Sequence, residues 1–334
     1  MGTIRPKVVV IGATGQFGGD LVEVFEASGR WEVVGLSHDD IEVTRPESVQ
    51  EALRGLKPSV VINTAAFNRV DACEADGEAA FRVNALGALH VARAADGVGA
   101  LCVYISTDYV FDGRRGAGAG EEGEGGGGGG GRAPQASGGG ERADAGEGVA
   151  TSRLGARAEP YMEQDRPNPI NVYGASKLAG EILTAQGAAR HLVVRVASLF
   201  GRRGARGKGG NFVTAVVARA RAGETVRVVH DIVMSPTYTR DAARAMERLV
   251  RAGVTGVVHV VNSGMCSWYE FACAVVRLAG LDVRVEPIPA SAYPAAARRP
   301  AFSALSNRYA STLAGPDALR PWQDALAEYV RQIV

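Results

Sequence analysis

Short runs of apolar residues alternate along the first two thirds of the chain with segments in which apolar residues recur at helical spacing. The first run, residues 7–11, is β-branched and predicts a buried strand, and residues 20–27 carry the spacing of an amphipathic helix. The same pattern predicts strands at 32–36, 41–43, 59–63, 101–106 and 192–197, and helices at 46–56, 78–98, 173–185 and 212–222.

This alternation predicts a parallel sheet, because strands joined through helices are connected by right-handed crossovers. After residue 227 predicted strands and helices alternate less regularly. The strand candidates are 226–229 and 257–261, and the helix candidates are 240–252, 267–278 and 321–333. We therefore expect an α/β fold: a Rossmann-type doubly wound parallel sheet in residues 1–200 and a smaller C-terminal α/β domain in residues 201–334. A functional site is expected in the cleft between them.

Residues 114–158 interrupt the pattern, because 17 of these 45 residues are glycine and few are large and apolar. Such a segment buries too little surface to offset its ordering entropy, so we predict a disordered insertion. A host fold tolerates it, since each doubling of loop length adds only about 0.6 kcal/mol of closure free energy. Two readings stay open: a mobile lid or partner-binding arm, and an expansion without a chemical role.

Composition narrows the class of partner. The chain has 334 residues, 46% of them hydrophobic, and 37 basic side chains against 36 acidic ones. The balanced charge provides no field for nucleic acid or an anionic membrane, which favours a small-molecule ligand. The four cysteines form no Cys-x-x-Cys pair and are expected to be reduced thiols. Without a signal sequence or a long apolar stretch, the chain is predicted to be cytoplasmic.

A glycine-rich turn joins the first predicted strand to the first helix. There a dinucleotide pyrophosphate can lie against glycine backbone and the positive end of the helix. We therefore assign the N-terminal domain to binding NAD(P), and the C-terminal domain mainly to binding the substrate. The predicted cofactor contacts in this turn are Gly12, Thr14, Gly15, Gln16, Phe17 and Gly18.

The end of the second strand bears on the choice of cofactor. An acidic side chain there would bind the ribose 2′-hydroxyl and exclude a 2′-phosphate, but residues 36–38 are Leu-Ser-His. The missing carboxylate favours NADPH, whereas Asp39 and Asp40 follow so closely that NADH stays open. We expect Asp40 and Ile41 to lie near the adenine.

Tyr173 and Lys177 form a Tyr-x-x-x-Lys pair on one face of a predicted helix. Reduction of a ketone requires a proton donor beside the carbonyl oxygen, and a phenol has a pKa of about 10. A nearby ammonium group is expected to lower that pKa towards neutrality. Lys177 is also placed to hold the nicotinamide ribose.

Thr107 follows the apolar strand at 101–106 and is expected at its carboxyl end, where ligands bind in open α/β sheets. Its hydroxyl can then donate to the same carbonyl oxygen as Tyr173. Together, Thr107, Tyr173 and Lys177 predict a reductase rather than a protein that only binds a dinucleotide.

With these residues in place, the chain resembles the dTDP-4-dehydrorhamnose reductases of the extended short-chain dehydrogenase/reductase superfamily. The Gly-x-x-Gly-x-x-Gly spacing is typical of that superfamily. The stretch Ser-Thr-Asp-Tyr-Val-Phe-Asp-Gly (106–113) discriminates most, because related dehydratases carry an acidic residue where this chain has Tyr109. The other matching landmarks lie at residues 12–18, 63–67, 70–74, 83–84, 167–181, 210–212, 235–237, 267–268 and 298–300.

The resemblance implies NAD(P)H-dependent reduction of the C4 ketone of dTDP-4-dehydro-L-rhamnose to dTDP-L-rhamnose. It assigns catalysis to Thr107, Tyr173 and Lys177, and it places Ala65 and Ala66 beside the dinucleotide. Asn84 would support the geometry of the site. The expected substrate contacts are Thr107, Asp108, Tyr109, Asn211 and Arg299, the last through the nucleotide phosphates.

Two departures keep other functions open. Ser198 stands where well-known reductases of this family carry a Trp that packs on the sugar, and the insertion falls between Thr107 and Tyr173. The alternatives are a reductase or epimerase of another nucleotide sugar, and a noncatalytic NADP-binding regulatory subunit such as the family member that partners methionine adenosyltransferase. A homodimer is compatible with the resemblance. Some relatives hold a divalent ion between subunits, but the five dispersed histidines predict no metal site here.

Overall fold

The computed structural model describes residues 5–116, 159–203 and 210–334. Its strands are β1 (Lys7–Ile11), β2 (Glu32–Leu36), β3 (Val60–Asn63), β4 (Leu101–Thr107), β5 (His191–Val196), β6 (Leu199–Phe200), β7 (Val226–Val229), β8 (Val233–Met234), β9 (Thr237–Tyr238), β10 (Gly256–His259), β11 (Cys266–Ser267) and β12 (Val285–Ile288). Its helices are α1 (Gln16–Ala27), α2 (Pro46–Leu56), α3 (Val70–Ala75), α4 (Gly77–Phe81), α5 (Gly87–Gly97), α6 (Val172–Gly187), α7 (Phe212–Arg221), α8 (Thr239–Arg251), α9 (Trp268–Leu278), α10 (Arg308–Ala314) and α11 (Trp322–Ile333).

Six parallel strands form the central sheet in the order β10-β5-β4-β3-β1-β2. The predicted Rossmann-type parallel sheet is thereby confirmed. The strands are apolar because helices cover both faces of the sheet, as in β4, where every residue is buried. The chain runs outward from β1 to β2 in one direction and from β3 to β4 in the other. The resulting crevice between β1 and β3 is where ligands bind in such sheets.

Three predicted elements differ from the observed ones. Helix α1 begins at Gln16 instead of residue 20, because the glycines around its start adopt helical backbone without needing apolar side chains. The predicted strand at 41–43 is wrong: Ile41 and Val43 are buried in the core, but they pair with no strand of the described chain. The predicted helix at 78–98 is interrupted by a π-helical turn at Arg82–Leu86.

The C-terminal third packs partly into the central sheet. Strand β10 extends the sheet beside β5, and α8 packs against α1. Thr239 on α8 donates a hydrogen bond of 2.5 Å to the buried Asp20 on α1, which ties the two helices together. The remaining short strands, with α7, α9 and α11, surround a separate apolar core. Residue 200 is therefore not a clean boundary, because the chain returns to the sheet layer beyond it.

The two ends of the glycine-rich segment lie side by side. Arg115 donates to the Pro160 carbonyl at 2.9 Å and pairs with Asp165, and Tyr161 receives a hydrogen bond of 3.2 Å from the Gly113 N–H. Disorder was predicted for residues 114–158, but Arg114–Gly116 form a 3-10 turn, and the remaining positions, 117–158, lie outside the described residues. Among the helices that are described, none combines the length and apolar character needed to cross a bilayer.

Candidate active site

A cleft of about 1100 Å³ opens at the carboxyl ends of the central strands. One wall consists of the loops after β1, β2 and β3 together with the end of β4. The opposite wall carries Asn211, Phe212 and Trp268 from the C-terminal part of the chain. The cleft therefore lies at the crevice that the strand order creates, between the sheet and the C-terminal core.

The glycine turn brings backbone into close contact at the start of α1. Gly12 has a φ of 83°, and a β-carbon there would lie 2.5 Å from Thr64 Oγ1. A β-carbon on Gly18 would lie 2.2 Å from the Gly12 carbonyl oxygen. A side chain at either position would clash with these neighbours, so both residues must be glycine. The tight turn that they allow leaves the first N–H groups of α1 directed at the cleft.

A buried donor at the same place lacks a partner. The side-chain nitrogen Nε2 of Gln16 makes no hydrogen bond within the described ranges, although it is shielded from bulk solvent. Such a group is unfavourable unless a ligand accepts from it. Together with the N-terminus of α1, it fits an anionic group such as a pyrophosphate.

Ser37 and His38 line the cleft after β2, and Asp40 is turned away from it. The Asp40 carboxylate accepts from both the backbone N–H and the hydroxyl of Ser37, each at 2.7 Å. Glu42 is similarly engaged by the N–H and hydroxyl of Thr44. Asp40 does not line the cleft, although it was predicted to lie near the adenine, and its Oδ2 atom is used to close the turn with Ser37.

Thr107 and Tyr173 meet at the inner end of the cleft. Thr107 ends β4, and Tyr173 lies in the first turn of α6, where the Thr107 hydroxyl bonds to its phenol. The Tyr109 ring packs edge-on against the Tyr173 ring with centroids 5.9 Å apart. These contacts present two hydroxyl groups to one point of the cleft, which suits the binding of a carbonyl oxygen.

The expected effect of Lys177 on the Tyr173 pKa is wrong. Burial raises the pKa of Tyr173 well above 10, and the nearby Asp108 raises it further. Lys177 instead donates to the Ile105 carbonyl at 2.5 Å and lies 4.0 Å above the centre of the Tyr104 ring. Its own pKa is lowered to about 7 by burial. Tyr173 is therefore kept protonated, as a proton donor must be.

Close packing at two glycines sets the position of α6. A β-carbon on Gly174 would lie 2.1 Å from the Tyr109 carbonyl oxygen, and one on Gly180 would lie 2.2 Å from the Asn84 carbonyl oxygen. The Asn84 side chain, fully buried in the π-helical turn, bonds to both backbone groups of Phe67 and to Ser176 on α6. Asn84 thus fixes the loop after β3 relative to the helix that carries Tyr173.

Most of the predicted site residues line this one cleft. They are Gly12, Thr14, Gly15, Gln16, Phe17, Gly18, Ile41, Ala65, Ala66, Thr107, Asp108, Tyr109, Tyr173, Lys177 and Asn211. Arg299 does not line it. Its guanidinium group pairs with Asp71 at 2.7 and 3.3 Å and bonds to Tyr109, so its predicted contact with the nucleotide phosphates stays a prediction.

Three aromatic residues of the cleft, Phe67, Phe212 and Trp268, were not predicted as site residues. The rings of Phe212 and Trp268 pack with centroids 4.7 Å apart on the wall opposite the glycine turn. The sequence signal for Trp268 was the preceding Ser267. Ser267 and Glu270 form a capping box at the start of α9, which fixes the position of Trp268. Ser198 also lines the cleft, with a left-handed φ of 43° that non-glycine residues rarely adopt.

Comparison with known proteins agrees with this arrangement. The family described as RmlD substrate binding domain matches residues 6–124 and 154–334. The chain belongs to this family. Residues 125–153, which the match leaves out, fall within the glycine-rich segment that the sequence predicts to be an insertion.

Relatives of this RmlD-family chain are named as reductases of dTDP-sugars. The dTDP-4-dehydrorhamnose reductase of Mycobacterium tuberculosis is 36% identical over 96% of this chain and 91% of its own. A dTDP-4-keto-6-deoxy-D-glucose reductase of Streptomyces niveus is 32% identical over 96% and 95%. The crystal structure of the Bacillus anthracis dTDP-4-dehydrorhamnose reductase with NADP is 29% identical, with a TM-score of 0.80 over 98% of this chain and 100% of that one.

Proposed function

We propose that this chain reduces the C4 ketone of dTDP-4-dehydro-L-rhamnose with NADPH and releases dTDP-L-rhamnose. The observation that carries the proposal is the meeting of the Thr107 and Tyr173 hydroxyls at the inner end of a glycine-lined cleft. Membership of a family whose relatives are named for this reaction supports the choice of substrate.

The roles of the residues follow from their hydrogen-bonding capacity. Thr107 and Tyr173 bind the ketone oxygen, and Tyr173 delivers its phenolic proton as that oxygen becomes a hydroxyl. NADPH, when bound, supplies the hydride that adds to C4. Lys177 lies one helical turn from Tyr173 on the same face of α6 and would hold the nicotinamide ribose. Tyr109 would contact the sugar from the cleft wall, whereas the side chain of Asn211 caps α7 and bonds to Tyr329, so it would act on the substrate by shaping that wall.

The residues present fit a dinucleotide. The turn at 12–18 and the side chain of Gln16 would bind the pyrophosphate, and Ala65 and Ala66 would lie along the nicotinamide half. NADPH is favoured over NADH because Ser37 and His38, which line the cleft at the end of β2, carry no carboxylate. Glu42, which also lines the cleft, is bonded to Thr44 and lies 3.5 Å from His38. The NADP bound by the Bacillus anthracis relative supports this preference.

A second candidate is reduction of a different dTDP-4-keto sugar. Ser198 is small where a Trp packs on the sugar in reductases that this chain resembles, which widens the cleft beside the substrate. The Streptomyces niveus relative, named for a 4-keto-6-deoxy-D-glucose substrate, makes this candidate specific. A noncatalytic regulatory role is less well supported, because such a role has no need of the Thr107, Tyr173 and Lys177 set.

The proposal extends to organisation and location. Residues 1–200 would bind mainly the cofactor and residues 201–334 mainly the substrate, with β10 and α8 completing the first part.

A homodimer is supported by Phe81, Leu86 and Ile182, large apolar side chains that are exposed on neighbouring helical elements. Light scattering of Ile182→Glu against the parent tests that dimer. A cytoplasmic location would supply both NADPH and the sugar nucleotide.

The test is the oxidation of NADPH and of NADH with dTDP-4-dehydro-L-rhamnose and, separately, with dTDP-4-keto-6-deoxy-D-glucose. We expect turnover with the first sugar, a preference for NADPH, and a loss of at least about 100-fold in kcat for Tyr173→Phe. Preference for the second sugar would support the second candidate. Absence of turnover with either sugar, despite measurable binding of NADPH, would contradict the proposal.

A further inference from the structure

Asp108 is an ionisable group in the cleft whose role the proposed mechanism leaves undefined. It is only 3% exposed, and its Oδ2 atom has no hydrogen-bond partner in the part of the chain that the structure describes. Burial raises the pKa of its carboxyl group to about 6, an effect that the Ser303 and Thr107 hydroxyls partly offset. A negative charge is therefore poorly stabilised at this position.

The Thr107 hydroxyl has one proton and two lone pairs, and its neighbours compete for them. Thr107 donates to Asp108 Oδ1 at 2.9 Å and accepts from the Tyr109 N–H at 3.2 Å. While Asp108 is ionised, the single proton of Thr107 points at the carboxylate. Thr107 then has no proton to give to a substrate oxygen.

We propose that protonated Asp108 donates a hydrogen bond to Thr107 Oγ1 and thereby directs the Thr107 proton to the ketone oxygen of the substrate. The two lone pairs of Thr107 are then filled by Asp108 and by the Tyr109 N–H. Its own proton, which without substrate can point at the Tyr173 oxygen, is available to a ketone oxygen that enters between the two hydroxyls. Asp108 is thus a positioning residue that acts through Thr107. The inference rests on the proposed function, because it requires a ketone between Thr107 and Tyr173.

The other groups that face Asp108 keep one protonation state over the relevant pH range. Tyr173 on α6 and the adjacent Tyr109 both have pKa values raised by burial and by the charge of Asp108. Ser303, from the C-terminal segment, does not titrate. Arg299 bonds to Tyr109 and stays charged beside Asp71. Lys177, whose pKa is lowered to about 7, titrates in the same range but donates to the Ile105 carbonyl and not to Thr107. Asp108 is therefore the group whose ionisation changes the hydrogen bonding of Thr107.

The test is the pH profile of kcat/KM for the keto sugar at saturating NADPH, from pH 5.5 to 9. For the parent we expect a fall of at least about 10-fold between pH 6 and 8 as Asp108 ionises. Asp108→Asn keeps Lys177 but should lack the part of the fall that Asp108 causes, because its amide N–H donates to Thr107 at every pH. Asp112→Asn, an exchange outside the cleft, should retain the profile of the parent.

Two further variants show whether the effect passes through Thr107. Thr107→Val should be slow and should lack the fall, and Asp108→Asn should change nothing further in that background. If Asp108→Asn does not fold, Thr107→Val alone still decides. An unchanged profile in Asp108→Asn, or a fall that persists in Thr107→Val, would overturn the inference. A parent that reduces no ketone at any pH would contradict the proposed function itself.

Discussion

Lys177 is a fully buried amine that donates to the Ile105 carbonyl, and no carboxylate of the described residues is bonded to it. Burial lowers its pKa to about 7, whereas the unfolded chain titrates it near 10.5. Between these values the folded protein binds fewer protons at Lys177 than the unfolded chain. The free energy of unfolding must therefore rise with pH across this window.

Replacing Lys177 with Met should remove that dependence. We expect the parent to gain about 2 kcal/mol of stability relative to Lys177→Met between pH 7 and pH 9, because a buried ammonium no longer has to be desolvated. Urea unfolding of both proteins at the two pH values measures the difference. Unfolding free energies that change in parallel would show that Lys177 titrates as in water.

The sequence placed Thr107, Tyr173 and Lys177 together correctly, because strand ends and helical spacing are local properties. It did not predict the electrostatics. The expected lowering of the Tyr173 pKa assumed that Lys177 would point at the phenol, but Lys177 turns to the Ile105 carbonyl and the Tyr104 ring. Side-chain direction and desolvation depend on packing partners that lie far away in the chain.

At the scale of elements, the start of α1 is set by backbone contact at glycine. Gly18→Ala should force α1 away from the turn, because its β-carbon would lie 2.2 Å from the Gly12 carbonyl oxygen. We expect binding of NADPH to weaken by at least about 10-fold, measured by fluorescence titration. Gly55→Ala is the matched control, since a β-carbon there meets nothing within 4 Å. Equal NADPH affinities for the two variants would refute this account of the turn.

Two elements could not be predicted from the spacing of apolar residues. The alternation at 41–43 is typical of a strand, but here Ile41 and Val43 are buried from a loop. The loop is held by two hydrogen bonds, from the Glu42 N–H to the Ser48 hydroxyl and from the Thr44 N–H to the Glu42 carboxylate. The π-helical turn that carries Asn84 was not predicted either. Its residues continue the helical spacing, and the extra residue in the turn is specified by contacts with α6.

In the whole molecule, deletion of the glycine-rich segment shows whether stability and turnover depend on it. Since Arg115 bonds to the Pro160 carbonyl, a linker of about six Gly and Ser residues can replace residues 117–158. We expect the Tm to change by less than about 3 °C and kcat by less than about threefold. Thermal unfolding and NADPH oxidation check this. Loss of turnover in a stably folded deletion variant would instead support the reading of the segment as a lid.

The central claim is that the cleft transfers hydride to C4 of a dTDP-sugar while Tyr173 supplies the proton. The most direct measurement uses NADPH deuterated at C4 of the nicotinamide, on the face that reacts, with dTDP-4-dehydro-L-rhamnose as substrate and the product examined by NMR and mass spectrometry. We expect one deuterium at C4 of dTDP-L-rhamnose and one NADPH consumed per product. A sugar product without deuterium, formed without net consumption of NADPH, would contradict it and indicate an epimerase.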